Sequence, residues 1–261
     1  MKKTISVLSL VLVLCMFVLM ALGSGSSKSE NKGAEGATTV TDGKETSTEA
    51  KKDTKATEKE KDSYEVGEAE AIVYKDSIGT YWVQISVPVT NTGSVNLYLS
   101  SGTMDLEDAD GHLVESASMV SAYPQVIKPG ETGWYYEETT LDKAPDTDLK
   151  VIPHVSAKKA TVDCIRYSVS DLSIGNETYG GIKITGRVEN VTDEDESMPY
   201  VVAFLYDADD HFLGQAFTIL DELKAGDKMG FSMSTFASNP DFKAENVKRY
   251  DVIAYPMKLQ F

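Results

Sequence analysis

Polar and apolar residues alternate in short runs through most of the chain from residue 63 onward. Tyr81, Val83, Ile85, Val87 and Val89 fall on one face of an extended segment, which predicts a half-buried strand. Asn91-Thr92-Gly93-Ser94 breaks it, and Val95, Leu97 and Leu99 begin a second strand that runs to Leu106. Asp108-Ala109-Asp110-Gly111 is a turn, because Asp side chains cap tight corners and Gly accepts positive φ. A third strand starts at His112-Leu113-Val114. Lys128-Pro129-Gly130-Glu131 is a further turn, followed by a strand through Trp134-Tyr135-Tyr136, and Leu149, Val151, Pro153 and Val155 complete the set.

The same series then repeats. Asp108-Ala109-Asp110-Gly111-His112-Leu113 recurs 99 residues later as Asp207-Ala208-Asp209-Asp210-His211-Phe212, and Ile85, Val89 and Asn91 recur at that offset as Ile184, Val188 and Asn190. Lys224-Ala225-Gly226-Asp227 stands for Lys128-Pro129-Gly130-Glu131, displaced by a three-residue difference in one loop. A period this long marks a duplicated domain, since each copy is large enough to close its own core. Short strands with frequent turn signals predict two antiparallel sandwiches, over residues 63–158 and 159–261. Helix is confined to possible turns near Leu220-Leu223 and Asp241-Asn246.

In the second copy, Val202-Ala203-Phe204-Leu205-Tyr206-Asp207-Ala208-Asp209 with Gly214, preceded by the Asn190 turn, resembles the FxLYD domain, an immunoglobulin-like sandwich of exported bacterial and archaeal proteins. Ala203 stands where that family has Phe, while Leu205-Tyr206-Asp207 match. The first copy keeps only the outline of the turn, at Met104, Leu106, Glu107 and Asp108. The resemblance implies an all-β chain of two tandem immunoglobulin-like sandwiches acting as a non-catalytic cell-surface module, and it carries over no site residues.

The amino terminus changes the picture of where such a protein works. Lys2 and Lys3 precede an apolar run from Ile5 to Leu22, and Ala21-Leu22-Gly23-Ser24 ends it with small residues. Residues 1–23 therefore read as an export signal or a membrane anchor. The stretch from Leu22 to Lys28 also resembles a lipoprotein signal, but Gly25 occupies the place of the lipid-bearing Cys. Residues 24–62 lack aromatic side chains and nearly all aliphatic ones, so they predict a disordered, hydrophilic tether. Of the 25 basic and 41 acidic residues, 10 and 9 lie in 1–62, which leaves 15 and 32 in the remainder and a formal charge of about −17 there. Such a body repels phosphate backbones and anionic headgroups, which excludes nucleic acid and restricts any membrane contact to the N-terminal segment. With the segment 1–23 removed only Cys164 remains, so no internal disulfide is expected.

Candidate chemistry is sparse. Asp108, Asp110, Asp207 and Asp209, beside the equivalent His112 and His211, are candidate metal ligands, and Asp193 and Asp195 in an acidic loop are two more. The spacing lacks the closing Glu of a calcium loop and suits turn capping better. Trp82, Trp134 and Tyr136 are candidate ligand-contacting aromatics, because an exposed ring on a sheet can stack on sugars or anchor a protein. No Gly-x-Ser-x-Gly, His-Glu-x-x-His or phosphate-loop pattern is present, and Cys164 has no neighbouring His, so no enzyme and no cofactor is expected. The expected function is an extracytoplasmic binding or structural module, secreted or tethered at a bacterial surface, with an unknown protein or a cell-wall glycan as partner. Two alternatives are a glycan-binding module, which requires Trp82 or Trp134 to be exposed, and a calcium-stabilised adhesin segment. Sandwiches joined end to end offer a cleft only at their junction, near residues 156–160, where the absence of Gly and Pro predicts little hinge freedom.

Overall fold

A computed structural model describes residues 63–178, 180–235 and 242–257. The proposed signal, residues 1–23, and tether, residues 24–62, lie outside the described residues. Strands account for nearly all regular structure, and every ladder is antiparallel.

The first sandwich contains β1 (Tyr64–Val66), β2 (Glu70–Lys75), β3 (Tyr81–Asn91), β4 (Leu97–Leu99), β5 (Gly102–Glu107), β6 (Leu113–Tyr123), β7 (Val126–Ile127), β8 (Thr132–Leu141), β9 (Lys150–His154) and β10 (Ala157–Lys159). One sheet joins β1 and β2 to β3, then β3 to β8, and finally the last three residues of β6 to β8. The other joins the earlier part of β6 to β5 and β5 to β9, while β10, β4 and β7 form a small three-stranded sheet of their own. Between them Val83, Ile85, Val87, Leu97, Met104, Leu106, Ile127 and Tyr135 form a fully buried core.

The second sandwich repeats this plan with β11 (Ser168–Asn176), β12 (Ile182–Glu189), β13 (Glu196–Ser197), β14 (Tyr200–Tyr206), β15 (Phe212–Ile219), β16 (Glu222–Leu223), β17 (Lys228–Ser234) and β18 (Arg249–Tyr255). Its sheets are β11-β12-β17 and β15-β14-β18, with β13 pairing β16 as β4 pairs β7. Ile182, Ile184, Val188, Val201, Ala203, Leu205 and Leu223 fill the core. The expected helical turn at Leu220-Leu223 is instead strand β16, and Ala244–Asn246 forms one 3-10 turn.

The duplication extends to hydrogen bonds. Asn91 and Asn190 are both wholly buried. Asn91 Nδ2 donates to Val95 O at 2.8 Å and Ile127 O at 3.1 Å, and Asn190 Nδ2 donates to Glu194 O at 2.8 Å and Leu223 O at 3.0 Å. Each side-chain oxygen accepts the N–H two residues on, from Gly93 or Thr192. Each backbone clasps the next turn through Gly130 and Glu131 or Gly226 and Asp227. The residue that ends the strand in the sequence pattern is thus a latch between two loops, satisfying backbone groups that burial would otherwise leave unpaired.

The two sandwiches meet along the broad faces of their sheets and not at their ends. Val202, Phe204 and Tyr206 point away from their own core, since strand neighbours alternate, and they pack with Phe212 and Tyr255 against Trp134 and Tyr136. The Trp134 and Phe204 rings stack at 4.7 Å and 17°, and Tyr136 meets Phe204 and Phe212 edge-on at 6.3 Å. This docking explains why β14 is apolar on both faces and buried at six of its seven residues. It also corrects the half-buried expectation for β3, whose other face carries Gln84 and Ser86 at 6 % and 3 % exposure.

Candidate functional site

The aromatics singled out from sequence are not free. Trp134 and Tyr136 retain 6 % and 9 % exposure inside the seam between sandwiches, so neither offers a face to a glycan. Strand alternation turns both away from the core of their own domain, and the second sandwich covers that face. Trp82 is half-buried, and its indole N–H donates to Asp76 Oδ2 at 3.0 Å.

The two acidic turns are built alike. Asp108 Oδ1 accepts the N–H groups of Asp110 and His112, and Asp207 Oδ1 those of Asp209 and His211, all at 2.9 Å. The remaining oxygen faces the imidazole, at 3.3 Å for His112 and 3.5 Å for His211. The His112 N–H bond is the largest influence on the Asp108 carboxyl, which lies below its ordinary pKa. Gly111 and Asp210 occupy equivalent corners with φ of 81° and 63°. Asp108, Asp110 and His112 bring one ligand atom each within 4.8 Å of one another, as do Asp207, Asp209 and His211. A calcium ion needs about six to eight oxygens, and in each turn the first Asp is already engaged by the backbone and the imidazole. Asp195 Oδ1 accepts the Ala225 N–H at 2.8 Å and closes its loop, while Asp193 is exposed.

Two polar constellations emerge that sequence spacing did not indicate. Asp105 accepts the Ser116 hydroxyl at 2.6 Å and lies 3.0 Å from His154 Nε2. The carboxylate stands between Ser and His here, whereas a nucleophilic triad needs the imidazole in the middle to take the serine proton. Cys164, half-buried between the sandwiches, has its thiol pushed up to about 11 by burial, offset in part by the Arg166 charge, so it is protonated at neutral pH.

The junction holds a walled cleft. Arg166 fastens it, with Nε 2.7 Å from Glu131 Oε1, Nη2 2.8 Å from Glu131 Oε2, Nη1 donating to Ile165 O and Nη2 also donating to Val126 O. This fork ties the inter-domain connection to the Lys128-Pro129-Gly130-Glu131 turn. Beside it a space of about 280 Å³ opens between Ser100, Ser101 and Ser121 of the first sandwich and Tyr200, Tyr255 and Met257 of the second, with Tyr123 and Asp163 on its walls. The Tyr200 and Tyr255 rings stack at 5.8 Å and 11°. Burial raises the phenols of Tyr123, Tyr200 and Tyr255 above their ordinary values, so all three stay as neutral hydroxyls.

The architecture is that of an all-β protein with two tandem immunoglobulin-like sandwiches. No protein-family model and no curated protein matches the chain. Among solved structures the chain is similar to a β-glucuronidase from glycoside hydrolase family 2, with 12% identity over 72% of this chain and a TM-score of 0.21. The chain spans about a quarter of that enzyme, 24% of its length, and a likeness of this degree says nothing about activity.

Proposed function

We propose that the chain is a non-catalytic extracytoplasmic binding or structural module, held at a bacterial surface by its N-terminal segment and standing off it on residues 24–62. The observation that carries this reading is the aromatic seam: Trp134 stacked on Phe204 at 4.7 Å, with Arg166 clamped on Glu131, makes two sandwiches into one stiff body. A stiff pair presents a surface whose two halves hold a set distance, which is what a surface-borne receptor or spacer requires. The inventory of polar groups supports the same side. Asp105 sits in the wrong place for a triad, and the Cys164 thiol is protonated. The resemblance of the second sandwich to FxLYD domains accords with an exported module.

Two measurements test the reading. External protease added to intact cells is expected to cut within 24–62 and release the folded body; a chain protected until the cells are lysed refutes the location. In thermal unfolding of the full chain both sandwiches are expected to melt in one transition that separates into two in Trp134→Ala. Two transitions in the unmodified protein refute the stiff body.

A further inference from the structure

The junction cleft has a cause in the strand pattern. β6 pairs with β5 as far as Val120, then crosses to pair with β8 over its last three residues, while the β4-β5 run is interrupted at Ser100 and Ser101. The strands therefore splay, and the second sandwich roofs the opening with Tyr200 and Tyr255. We propose that this cleft binds a neutral saccharide, seating one ring of a glycan against Tyr200 and the serine hydroxyls.

Three features select that chemistry. First, most polar side chains on the lining are hydroxyls, with Ser101 and Ser121 exposed and Ser100 half-buried, joined by the phenols of Tyr123 and Tyr200 and by the half-buried Gln125 amide. Hydroxyls both donate and accept, so they match the alternating demands of a polyol. Second, charge is nearly absent. Arg166 is held by Glu131 through Nε and Nη2, which leaves the exposed Asp163 as the free charged group on the wall, able to accept from vicinal hydroxyls and to repel anions. Third, the size suits a single ring. A volume of about 280 Å³ lies just below the usual range of ligand pockets, roughly 300–1,000 Å³, and half-buried Tyr200, backed by the buried Tyr255, lines the space with an aromatic ring for the C–H face of a pyranose. An extended peptide would need a row of unpaired backbone groups, and the interruption between β4 and β5 exposes only two residues.

The proposal deepens the binding reading above and places its contact at the junction instead of at Trp82, Trp134 or Tyr136. Its test is calorimetric titration of the full chain with the β-1,4-linked trimers of glucose and of N-acetylglucosamine, repeated on Ser121→Trp and Ser101→Trp. Both serines are exposed at the cleft, so indole in their place fills it without entering either core. Saturable binding of either trimer, weakened at least about tenfold in both variants while the melting temperature is kept, is the expected result. No saturation with either trimer, or saturation indifferent to the indoles, overturns the proposal. So does saturation by a threonine hexapeptide that the indoles abolish where the trimers fail. In those cases the protease and unfolding results above stand, and only the saccharide assignment falls.

Discussion

Replacing Asn190 with Ala removes the hydrogen bonds that hold two loops of the second sandwich together. Asn190 Nδ2 donates to Glu194 O and Leu223 O, and its Oδ1 accepts from the Thr192 N–H and the Thr192 hydroxyl, so four bonds are lost. At about 1 kcal/mol net for each bond the loss is roughly 4 kcal/mol. The deficit is real because the residue is wholly buried and Ala leaves the Leu223 carbonyl without its donor. Asn91→Ala loses three such bonds, to Val95 O, Ile127 O and the Gly93 N–H, and is expected to cost about 3 kcal/mol. The difference of roughly 1 kcal/mol reflects the Thr192 hydroxyl, which Gly93 cannot supply. Urea unfolding of the full chain followed by circular dichroism and by tryptophan fluorescence measures both variants. Both Trp residues, Trp82 and Trp134, lie in the first sandwich, so fluorescence reports that half and the seam while dichroism reports all strands. A loss below about 1 kcal/mol at either site would refute the latch, since it would show that water satisfies those carbonyls as well as the amide does.

Other outcomes follow from the same geometry. Gly214 adopts φ of +152°, and a Cβ there would lie 2.7 Å from the Phe242 ring and 3.2 Å from Gln84 Oε1, so Gly214→Ala is expected to cost about 2 kcal/mol in urea unfolding; an unchanged midpoint contradicts the close approach. Burial pushes the Glu137 carboxyl up to about 7, with the Glu138 charge adding to it against the pull of a backbone N–H. The folded state then holds that proton more tightly than the unfolded one, so the stability it contributes is complete below the ordinary value of 4.5 and is lost as pH rises through about 7. Glu137→Gln should flatten that decline, and parallel pH profiles for the two proteins would dismiss the buried proton. Millimolar calcium should leave the melting temperature unchanged if Asp108 and Asp207 serve only as turn caps, whereas a rise abolished by chelator would establish the turns as metal sites.

Local rules carried the reading of each sandwich a long way. Tyr81-Val89 placed Val83, Ile85, Val87 and Val89 in the core because side chains on a strand alternate whatever surrounds it. The turns at Asp108 and Asp207 formed as expected because an Asp oxygen two and four residues from its N–H partners needs no distant contact. Asn91 and Asn190 were legible as breaks, yet their carbonyl partners at Ile127 and Leu223 lie more than 30 residues away, beyond the reach of a local pattern.

The candidate site was less legible for the same reason. Trp134, Tyr136, Gln84 and Ser86 carry no mark in their own strands to say whether the face opposite the core meets water or another protein surface. One signal was present in β14, whose apolar residues run through Val201, Val202, Ala203, Phe204 and Leu205 without alternation, as in a strand covered on both sides. By itself the sequence determined the all-β class, the duplication and the inward faces, because these depend on side-chain alternation and turn chemistry within a few residues. Only the tertiary structure decided that the sandwiches dock face to face, that Trp134 rests on Phe204, and that a hydroxyl-lined cleft opens at Ser100, Ser121 and Tyr200. Those contacts join surfaces far apart along the chain, and which surfaces meet depends on their mutual shape.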